Sequence, residues 1–269
     1  MDGWDPASYT SGVTFVPGIA TTATHGRVYA IAGQTLHVVP GEPPTIPVDE
    51  TTRDDLFLGD LDGTPCFARD DRPPAGTVAM PLRALFGVIA DEDFAIAGRA
   101  LGLTAWDRDH RYCGRCGFAT ERSTADRVRT CSSCRHASYP RLSPAVIMLV
   151  ERDGTCLLAR NARTKMPFAS TLAGFVEVGE TLEHAVAREV REEAGIEITD
   201  IRYFGSQPWP FTSSLMIGFT ARWASGEIVA DPIEIMDAAW YAPDALPVVP
   251  PKLSIARALI DDFVQRASR

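Results

Sequence analysis

The sequence lacks a long hydrophobic run, and this absence excludes a membrane-spanning helix. Its longest unbroken apolar stretch is residues 145–150, whereas a helix that crosses a bilayer needs roughly 20 apolar residues. The opening residues MDGWDPASYT also lack the basic and then apolar pattern of a secretory signal. On these grounds we expect a cytoplasmic protein with no membrane partner.

Internal repeats, low-complexity segments and positive net charge are also absent. The net charge of −9 argues against broad, sequence-independent binding to nucleic acid. Residues 107–141 depart from this average, because they contain eight arginines and four acidic residues. Such a stretch would attract a polyphosphate substrate, and it would equally suit the surface of a small module with scattered arginines. The length of 269 residues and the hydrophobic fraction of 45% fit a globular chain with room for two ordinary domains.

Four of the six cysteines form two CxxC pairs separated by 14 residues. They are Cys113, Cys116, Cys131 and Cys134. This spacing is typical of a zinc site with four thiolate ligands. Two disulfides or a redox-active CxxC are the alternatives, but the first would require export and the second would not need a duplicate. We predict one structural zinc ion per chain without an open coordination position, and we expect Cys66 and Cys156 to be buried as small apolar residues.

Residues 174–196, GFVEVGETLEHAVAREVREEAGI, predict a helix with clear ends. Thr181 can accept a hydrogen bond from the first turn as the N-cap, and Glu183 lies where the helix dipole favours an anion. Gly195 can adopt the left-handed conformation that ends a helix. We therefore predict a helix over residues 181–194.

The faces of this helix place two carboxylates where a charge is costly. At about 100° per residue, Leu182, Val186 and Val190 form one apolar stripe, and Glu189 and Glu193 fall on or beside it. Carboxylates that are partly buried at this density need cations. Oxygen ligands of this kind suit Mg²⁺ or Mn²⁺, so we predict a divalent metal site.

Arg188 can fix this arrangement, because its guanidinium can hold Glu180 or Glu192 by a forked hydrogen bond. The whole stretch fits the pattern G-x5-E-x7-R-E-U-x-E-E-x-G-U, in which U is a bulky apolar residue. It is identified as a Nudix box, the signature of the Nudix hydrolases. We expect metal-assisted attack of water on a diphosphate, with Glu192 or Glu193 relaying the proton; the sequence does not separate these two glutamates.

The predicted fold class is α/β (α+β), with a Nudix α/β/α sandwich preceded by a zinc ribbon and a mixed amino-terminal domain. The domain borders are 1–108, 109–139 and 140–269. Alternating apolar residues predict hairpins at 29–39 and 56–69, and helical spacing predicts a helix at 90–106. In the third domain we predict helices at 181–194 and 254–267 and strands at 145–151, 155–159, 171–178, 198–206, 215–223 and 238–241.

The segment SQPWPFTSS follows the box at residues 206–214. Its prolines flank Trp209, and we expect them to end the strand and present the indole and Phe211 from a stiff loop. Gln207 offers an amide that could hydrogen-bond a base or ribose. SQPWPF in this position strongly resembles the signature of the bacterial NADH pyrophosphatase branch of the Nudix hydrolases, also known as NAD-capped RNA hydrolases. The resemblance runs from about residue 96 to the final helix.

This resemblance implies hydrolysis of NADH or NAD to nicotinamide mononucleotide and AMP, removal of NAD caps from RNA 5′ ends, and a homodimer. It implies metal ligands at Glu189, Glu193, Glu234 and the Ala173 carbonyl, with Glu192 as the third carboxylate of the box. The implied substrate contacts, led by a stacking pair of Tyr139 and Phe175, are Tyr139, Phe175, Gln207, Pro208, Trp209, Pro210, Phe211, Ser214, Asp126 and Ala256.

Two other functions remain as alternatives. A binding module would be a zinc-ribbon protein with a degenerate Nudix domain that senses a dinucleotide or an RNA end, but all the box carboxylates are present. A Nudix enzyme for another dinucleotide, such as ADP-ribose or a diadenosine polyphosphate, differs from the preferred function mainly in the meaning of SQPWPF.

Overall fold

The computed structural model describes residues 14–48, 52, 55–70, 75–163 and 167–268. These residues form two compact units. One, the amino-terminal unit, contains the described residues up to Arg141 together with Pro210–Ser213. The other, the Nudix unit, contains Leu142–Trp209 and Ser214–Arg269. The three-domain division stays a prediction. No helix in the described part of the chain is long and apolar enough to cross a membrane.

A seven-stranded sheet and one helix build the core of the amino-terminal unit. Its strands are β1 (Phe15–Pro17), β2 (Gly26–Ala32), β3 (Thr35–Val38), β4 (Ile46–Val48), β5 (Leu56–Leu61), β6 (Thr64–Asp70) and β7 (Val78–Pro81). They run in the order β1-β5-β6-β2-β3-β7, and β4 also pairs with β2. The predicted hairpins are confirmed as β2 with β3 and β5 with β6. Helix α1 (Asp91–Asp109) confirms the predicted helix, and its Leu101 and Trp106 belong to the same buried core as Leu58 of β5.

The four cysteines lie in a small three-stranded sheet of the same unit. Its strands are β8 (Thr120–Arg122), β9 (Arg129–Cys131) and β10 (Ala137–Ser138), in the order β10-β9-β8. The carboxylate of Asp107 in α1 accepts hydrogen bonds from Arg122 at 2.6 Å and from Arg129 at 2.5 Å. Burial raises the pKa of Asp107, but the hydrogen bonds from the two arginines outweigh it and hold that pKa below its usual value. This ionic cluster ties the ribbon to helix α1.

A six-stranded sheet lies between two helices in the Nudix unit. Its strands are β11 (Ser143–Arg152), β12 (Thr155–Asn161), β13 (Leu172–Phe175), β14 (Glu197–Trp209), β15 (Ser214–Ser225) and β16 (Ile235–Tyr241). They run in the order β14-β15-β11-β12-β16, and β13 pairs with β11. The helices are α2 (Leu182–Ala194) and α3 (Ile255–Ala267).

Strand β11 shows why this sheet is covered on both faces. Successive side chains of a strand point to opposite faces. Val146 and Met148 accordingly join the core under α2, whereas Ile147 and Leu149 join the core under α3. All four side chains are buried, so the apolar run of the sequence is a central strand. The predicted α/β/α sandwich is confirmed.

The predicted end of the strand at residue 206 was wrong. Strand β14 continues to Trp209, and Pro208 pairs with Leu215 of β15. Strand β14 is at the edge of the sheet, where a proline is tolerated because a strand has a partner on one side only. The paired strands therefore continue through the first four residues of the SQPWPF segment, up to Trp209.

Candidate active site

Helix α2 begins and ends as the sequence predicts. The hydroxyl of Thr181 accepts a hydrogen bond from the backbone N–H of His184 at 3.2 Å. Gly195 ends the helix with φ of 71°, which is the left-handed region that glycine adopts without strain. Strand β13 enters on one side, although it ends at Phe175 and is shorter than predicted. These ends fix the rotation of α2, and therefore the direction of its side chains.

Two glutamates of α2 are buried, as the helical wheel indicated. Glu189 is 8% exposed and Glu193 is 5% exposed, while the neighbouring Val186 and Val190 are fully buried. Glu192 lies further round the helix, and 58% of its side chain is exposed. The site therefore combines two buried carboxylates with one that reaches solvent.

Arg188 connects the carboxylates. Its guanidinium donates a forked pair of hydrogen bonds to Glu180, at 2.8 and 2.9 Å. It also donates to Glu189 at 2.8 Å, to Glu192 at 2.9 Å and to the carbonyl oxygen of Phe175 at 2.9 Å. These bonds lower the pKa of Glu180 to about 2, so Glu180 is a permanently ionised anchor at neutral pH. The predicted bridging role of Arg188 is confirmed.

Gly174 makes room for Glu189. A Cβ atom at this position would lie 1.9 Å from Cδ and 2.0 Å from Oε1 of the Glu189 side chain. A glycine is required here for space, because the backbone of β13 approaches the carboxylate too closely for any side chain. The first glycine of the box thus shapes a cradle around one carboxylate.

The buried carboxylates fit a divalent cation. Burial, and then repulsion from Glu189 and Glu234, raises the pKa of Glu193 to about 8. Burial is also the main cause that raises the pKa of Glu189. Among the described residues, Oε2 of Glu193 and the hydroxyl of Thr171 find no hydrogen-bond partner, and both residues line a cavity of about 250 Å³. A hard, oxygen-preferring cation such as Mg²⁺ or Mn²⁺ would satisfy this oxygen and offset the repulsion.

Glu234 approaches this cluster from outside the helix. It precedes β16, whereas Arg163 follows β12. Oε1 of Glu234 forms a salt bridge of 2.7 Å with the Arg163 guanidinium. The backbone of Ala173 hydrogen-bonds to the Glu193 carboxylate and lowers its pKa. The predicted ligands Glu189, Glu193, Glu234 and Ala173 therefore share one region of the Nudix unit, and their roles as ligands stay a prediction.

The four cysteines form a second, separate metal site. Among the described residues, they are the only group of three or more His, Cys, Asp or Glu side chains whose ligand atoms all lie within 4.8 Å. The sulfur of Cys116 lies 3.4 Å from that of Cys134 and 3.5 Å from that of Cys131. Four sulfurs around zinc at 2.3 Å would be about 3.8 Å apart, so the cluster fits tetrahedral coordination. Its donors are soft thiolates, and all four positions are filled.

Backbone groups prepare two of these thiols to bind zinc. The N–H of Arg115 lies 3.4 Å from the sulfur of Cys113, and that of Cys134 lies 3.4 Å from the sulfur of Cys131. These hydrogen bonds lower the pKa of Cys113, and they lower that of Cys131 to about 6. Zinc binds the thiolate form, so the fold favours the state that the metal needs.

The predicted substrate residues of the Nudix unit have different environments. Phe175 is 56% exposed, which leaves its ring available for stacking. Gln207 is buried, donates to the Leu253 carbonyl and accepts from the N–H of Ile255, so its amide anchors the start of α3. The others are Pro208 (exposed), Trp209 (half-buried), and Ser214 and Ala256 (both buried). None of this tests their roles, which stay predictions.

The remaining predicted substrate residues belong to the amino-terminal unit. Tyr139 is 61% exposed, and Asp126 is exposed in the turn between β8 and β9. Phe211 packs against the core of this unit, with the Arg83 guanidinium 4.3 Å from its ring centroid. The half-buried Pro210 lies beside Gly98 of α1. Phe211 lies in the turn of residues 210–213 and is half-buried against this core; its presentation from a stiff loop and its role in binding stay predictions.

Two residues of this region were missed in the sequence. Arg163 was overlooked because nothing in the sequence links it to Glu234, and Thr171 because a single hydroxyl carries no pattern. The signal that could have pointed to Arg163 is its position in the sequence, as a cation just after a strand that precedes the box.

Sequence profiles of three known families match successive parts of the chain. The NADH pyrophosphatase-like rudimentary NUDIX domain matches residues 24–106. The NADH pyrophosphatase zinc ribbon domain matches residues 108–139, and the NUDIX domain matches residues 140–263.

Curated proteins match over most of the chain. NAD-capped RNA hydrolase NudC of Escherichia coli (strain SMS-3-5 / SECEC) is 44% identical over 211 residues, which cover 78% of this chain and 80% of that protein. The protein of the same name from Salmonella heidelberg (strain SL476) is 48% identical over 179 residues, which cover 65% of this chain and 70% of the relative. The chain therefore belongs to the Nudix hydrolases, in the branch of the NADH pyrophosphatases and NAD-capped RNA hydrolases.

Proposed function

We propose that this protein hydrolyses the pyrophosphate bond of NADH or NAD, giving nicotinamide mononucleotide and AMP, and that it removes NAD caps from RNA 5′ ends. The observation that carries the proposal is the buried pair Glu189 and Glu193, of which Glu189 accepts a hydrogen bond from Arg188, in a chain of this family. The names of the relatives support the second activity.

The carboxylates supply the site for Mg²⁺ or Mn²⁺. Glu189 and Glu193 would hold the ion, with Glu234 and the Ala173 carbonyl as further ligands. When bound, such an ion lowers the pKa of water and neutralises charge on phosphate oxygens. Gly174 keeps Glu189 in place, since the space beside its carboxylate admits no side chain.

Residues of the box also transfer the proton and orient the carboxylates. Either Glu192 or Glu193 accepts the proton of the attacking water. Glu180 does not take this role, because its pKa of about 2 makes it a poor base at neutral pH. Arg188 instead uses Glu180 as an anchor and holds Glu189 and Glu192 in fixed directions.

Substrate positioning belongs to the aromatic and SQPWPF residues. Phe175 and Tyr139 would stack on the nicotinamide ring, and both rings are more than half exposed. The strand end at 207–214 would line the nucleotide site, with Asp126 and Ala256 as further contacts. We also propose a cytoplasmic homodimer with one structural zinc ion per chain; the thiol cluster and the family resemblance support this part.

Hydrolysis of NADH by the purified protein tests the proposal. Reactions with Mg²⁺ or Mn²⁺, and without either ion, are separated by chromatography after the zinc content has been measured. We expect metal-dependent formation of reduced nicotinamide mononucleotide and AMP, and slower turnover of ADP-ribose. Glu193→Gln should lose most turnover, whereas Glu183→Gln, an exposed site on the same helix, should keep it. Faster turnover of ADP-ribose than of NADH would reject NADH as the preferred substrate. No turnover of either compound would favour a binding module that senses a dinucleotide or an RNA end.

A further inference from the structure

Arg163 and Glu234 form an exposed ion pair beside the carboxylates of α2. Nη2 of Arg163 lies 2.7 Å from Oε1 of Glu234, and the two side chains are 63% and 35% exposed. The backbone N–H of Ala162 donates to the Glu234 carbonyl at 2.7 Å, so the two segments are also joined through their main chains. An exposed pair of this kind is weak and can exchange partners.

Glu234 is close enough to the buried carboxylates to affect them. Its charge contributes to raising the pKa values of Glu189 and Glu193. Even so, these three carboxylates do not converge within 4.8 Å in the described structure, and Oε1 of Glu234 is paired with Arg163. Arg163 therefore pairs with the carboxylate that would complete a cluster with Glu189 and Glu193.

The other arginine of the cluster cannot serve an incoming anion. Arg188 already donates to Glu180, Glu189 and Glu192, and also to the Phe175 carbonyl. Moving it would leave several carboxylates unpaired. Arg163, by contrast, is 63% exposed, and in the described structure its side chain pairs with a single carboxylate, that of Glu234.

We propose that Arg163 exchanges partners in the reaction cycle: it pairs with Glu234 in the free protein and with a phosphate oxygen of the substrate once Glu234 turns to the divalent cation. The planar fork of a guanidinium matches phosphate as well as carboxylate. A diphosphate that enters a site rich in glutamate also needs a cation to reduce repulsion. This inference rests on the proposed function, because it assumes that the site takes a diphosphate.

The proposed exchange leads to two expectations of opposite sign, one for the binding of the metal and one for the binding of the substrate. Removal of Arg163 frees Glu234, so the free protein should bind a divalent cation more tightly. The same removal takes a partner from the phosphate, so the substrate should bind and react less well. A purely structural role, in which Arg163 orients Glu234 for the metal, predicts that metal binding weakens.

The experiment compares wild type with Arg163→Ala, Arg163→Lys and the control Arg160→Ala. Arg160 lies in β12 and pairs with Asp237 through Nε at 2.7 Å, and both side chains are about half exposed. Calorimetric titration with Mn²⁺ alone should show about two- to fivefold tighter binding for Arg163→Ala. Its kcat/KM for NADH should fall about 10- to 100-fold, with Arg163→Lys in between. Arg160→Ala should match wild type in both assays.

A third titration, with inorganic diphosphate in the presence of Mg²⁺, makes the test independent of NADH. Arg163→Ala should bind diphosphate more weakly than wild type. Weaker Mn²⁺ binding by this variant, or unchanged diphosphate binding, would overturn the inference. Wild type that binds diphosphate but does not hydrolyse NADH would instead contradict the proposed function and leave the role of Arg163 supported by the titrations. Thermal unfolding confirms that each variant is folded.

Discussion

Glu193→Gln should make the protein more stable when Mg²⁺ and Mn²⁺ are absent. The Glu193 side chain is buried, and no donor in the described part of the chain reaches one of its oxygens. Burial and the nearby carboxylates raise its pKa from 4.5 to about 8. At pH 7 the folded protein therefore keeps a proton that the unfolded chain releases, and this difference opposes folding.

The size of the effect follows from the two pKa values. A pH of 7 is about 2.5 units above the unfolded value, and each unit corresponds to about 1.4 kcal/mol, so the penalty is about 3 kcal/mol. Glutamine keeps the shape and removes the charge, but its amide also needs partners. We expect the free energy of unfolding of Glu193→Gln to exceed that of wild type by about 1–3 kcal/mol at pH 7.

The pH dependence of this difference has a defined direction. Glu193 has a raised pKa in the folded state, so its destabilising effect is absent below about pH 4.5 and grows until about pH 8. The gain of Glu193→Gln over wild type should therefore shrink as the pH falls from 8 towards 5. Added Mg²⁺ should stabilise wild type much more than the variant, because the ligand is lost.

Urea unfolding at pH 5, 6, 7 and 8 measures these differences, in buffers without Mg²⁺ or Mn²⁺ but with the zinc retained. Glu183→Gln is the control, because it changes an exposed glutamate of the same helix and should shift the free energy of unfolding by less than about 1 kcal/mol. Equal or lower stability of Glu193→Gln at pH 7, or a gain that does not change with pH, would refute the reasoning.

Three further expectations concern other parts of the chain. Gly174→Ala should lower turnover at least about 100-fold, since its Cβ would meet the Glu189 carboxylate at 1.9 Å. Gly102→Ala should not lower it, because the added Cβ would meet nothing within 4 Å beyond its chain neighbours and its own helix backbone. Measured rates and thermal unfolding test both expectations. Cys131→Ser should lose the zinc ion and Cys66→Ser should retain it, as measured by elemental analysis. Asp107→Asn should cost about 3 kcal/mol in urea unfolding at pH 7, because two arginines lose their partner. The depressed pKa means that this contribution is present above about pH 4 and is lost as the pH falls through the folded-state pKa, so the variant and wild type should converge in acid.

The features that sequence predicted well are those determined within a few residues. The caps of α2 depend on Thr181 and Gly195 themselves, and its buried face depends on a 3.6-residue period. The Arg188 bridge is also nearly local, because its carboxylate partners all lie within eight residues of it. The need for glycine at position 174 was visible as a pattern, but its cause, the approach of β13 to a helix side chain, required the structure.

In the SQPWPF segment, the position of the strand at the edge of the sheet makes a local sequence rule fail. Proline normally ends a ladder, and the sequence does not say whether a strand has one neighbour or two. Here β14 has one, so Pro208 stays within the strand. Gln207 then points inward, where Leu253 and Ile255 use both ends of its amide. The amide therefore holds the start of α3, and its contact with a base or ribose stays a prediction.

The pair of Arg163 and Glu234 depends on sheet register, which is still harder to predict. The two residues are far apart in sequence, and they meet because β12 runs antiparallel to β16, with Asn161 opposite Ile235. The register shifts between Arg160 and Asn161, and such a shift moves the side chains that follow to the other face. Without it, the residues after β12 would be aligned differently with the segment before β16. A single irregularity at the end of a strand thus brings a cation to the rim of the carboxylate cluster, and a change that removes it should separate the Arg163 and Glu234 side chains without altering either residue.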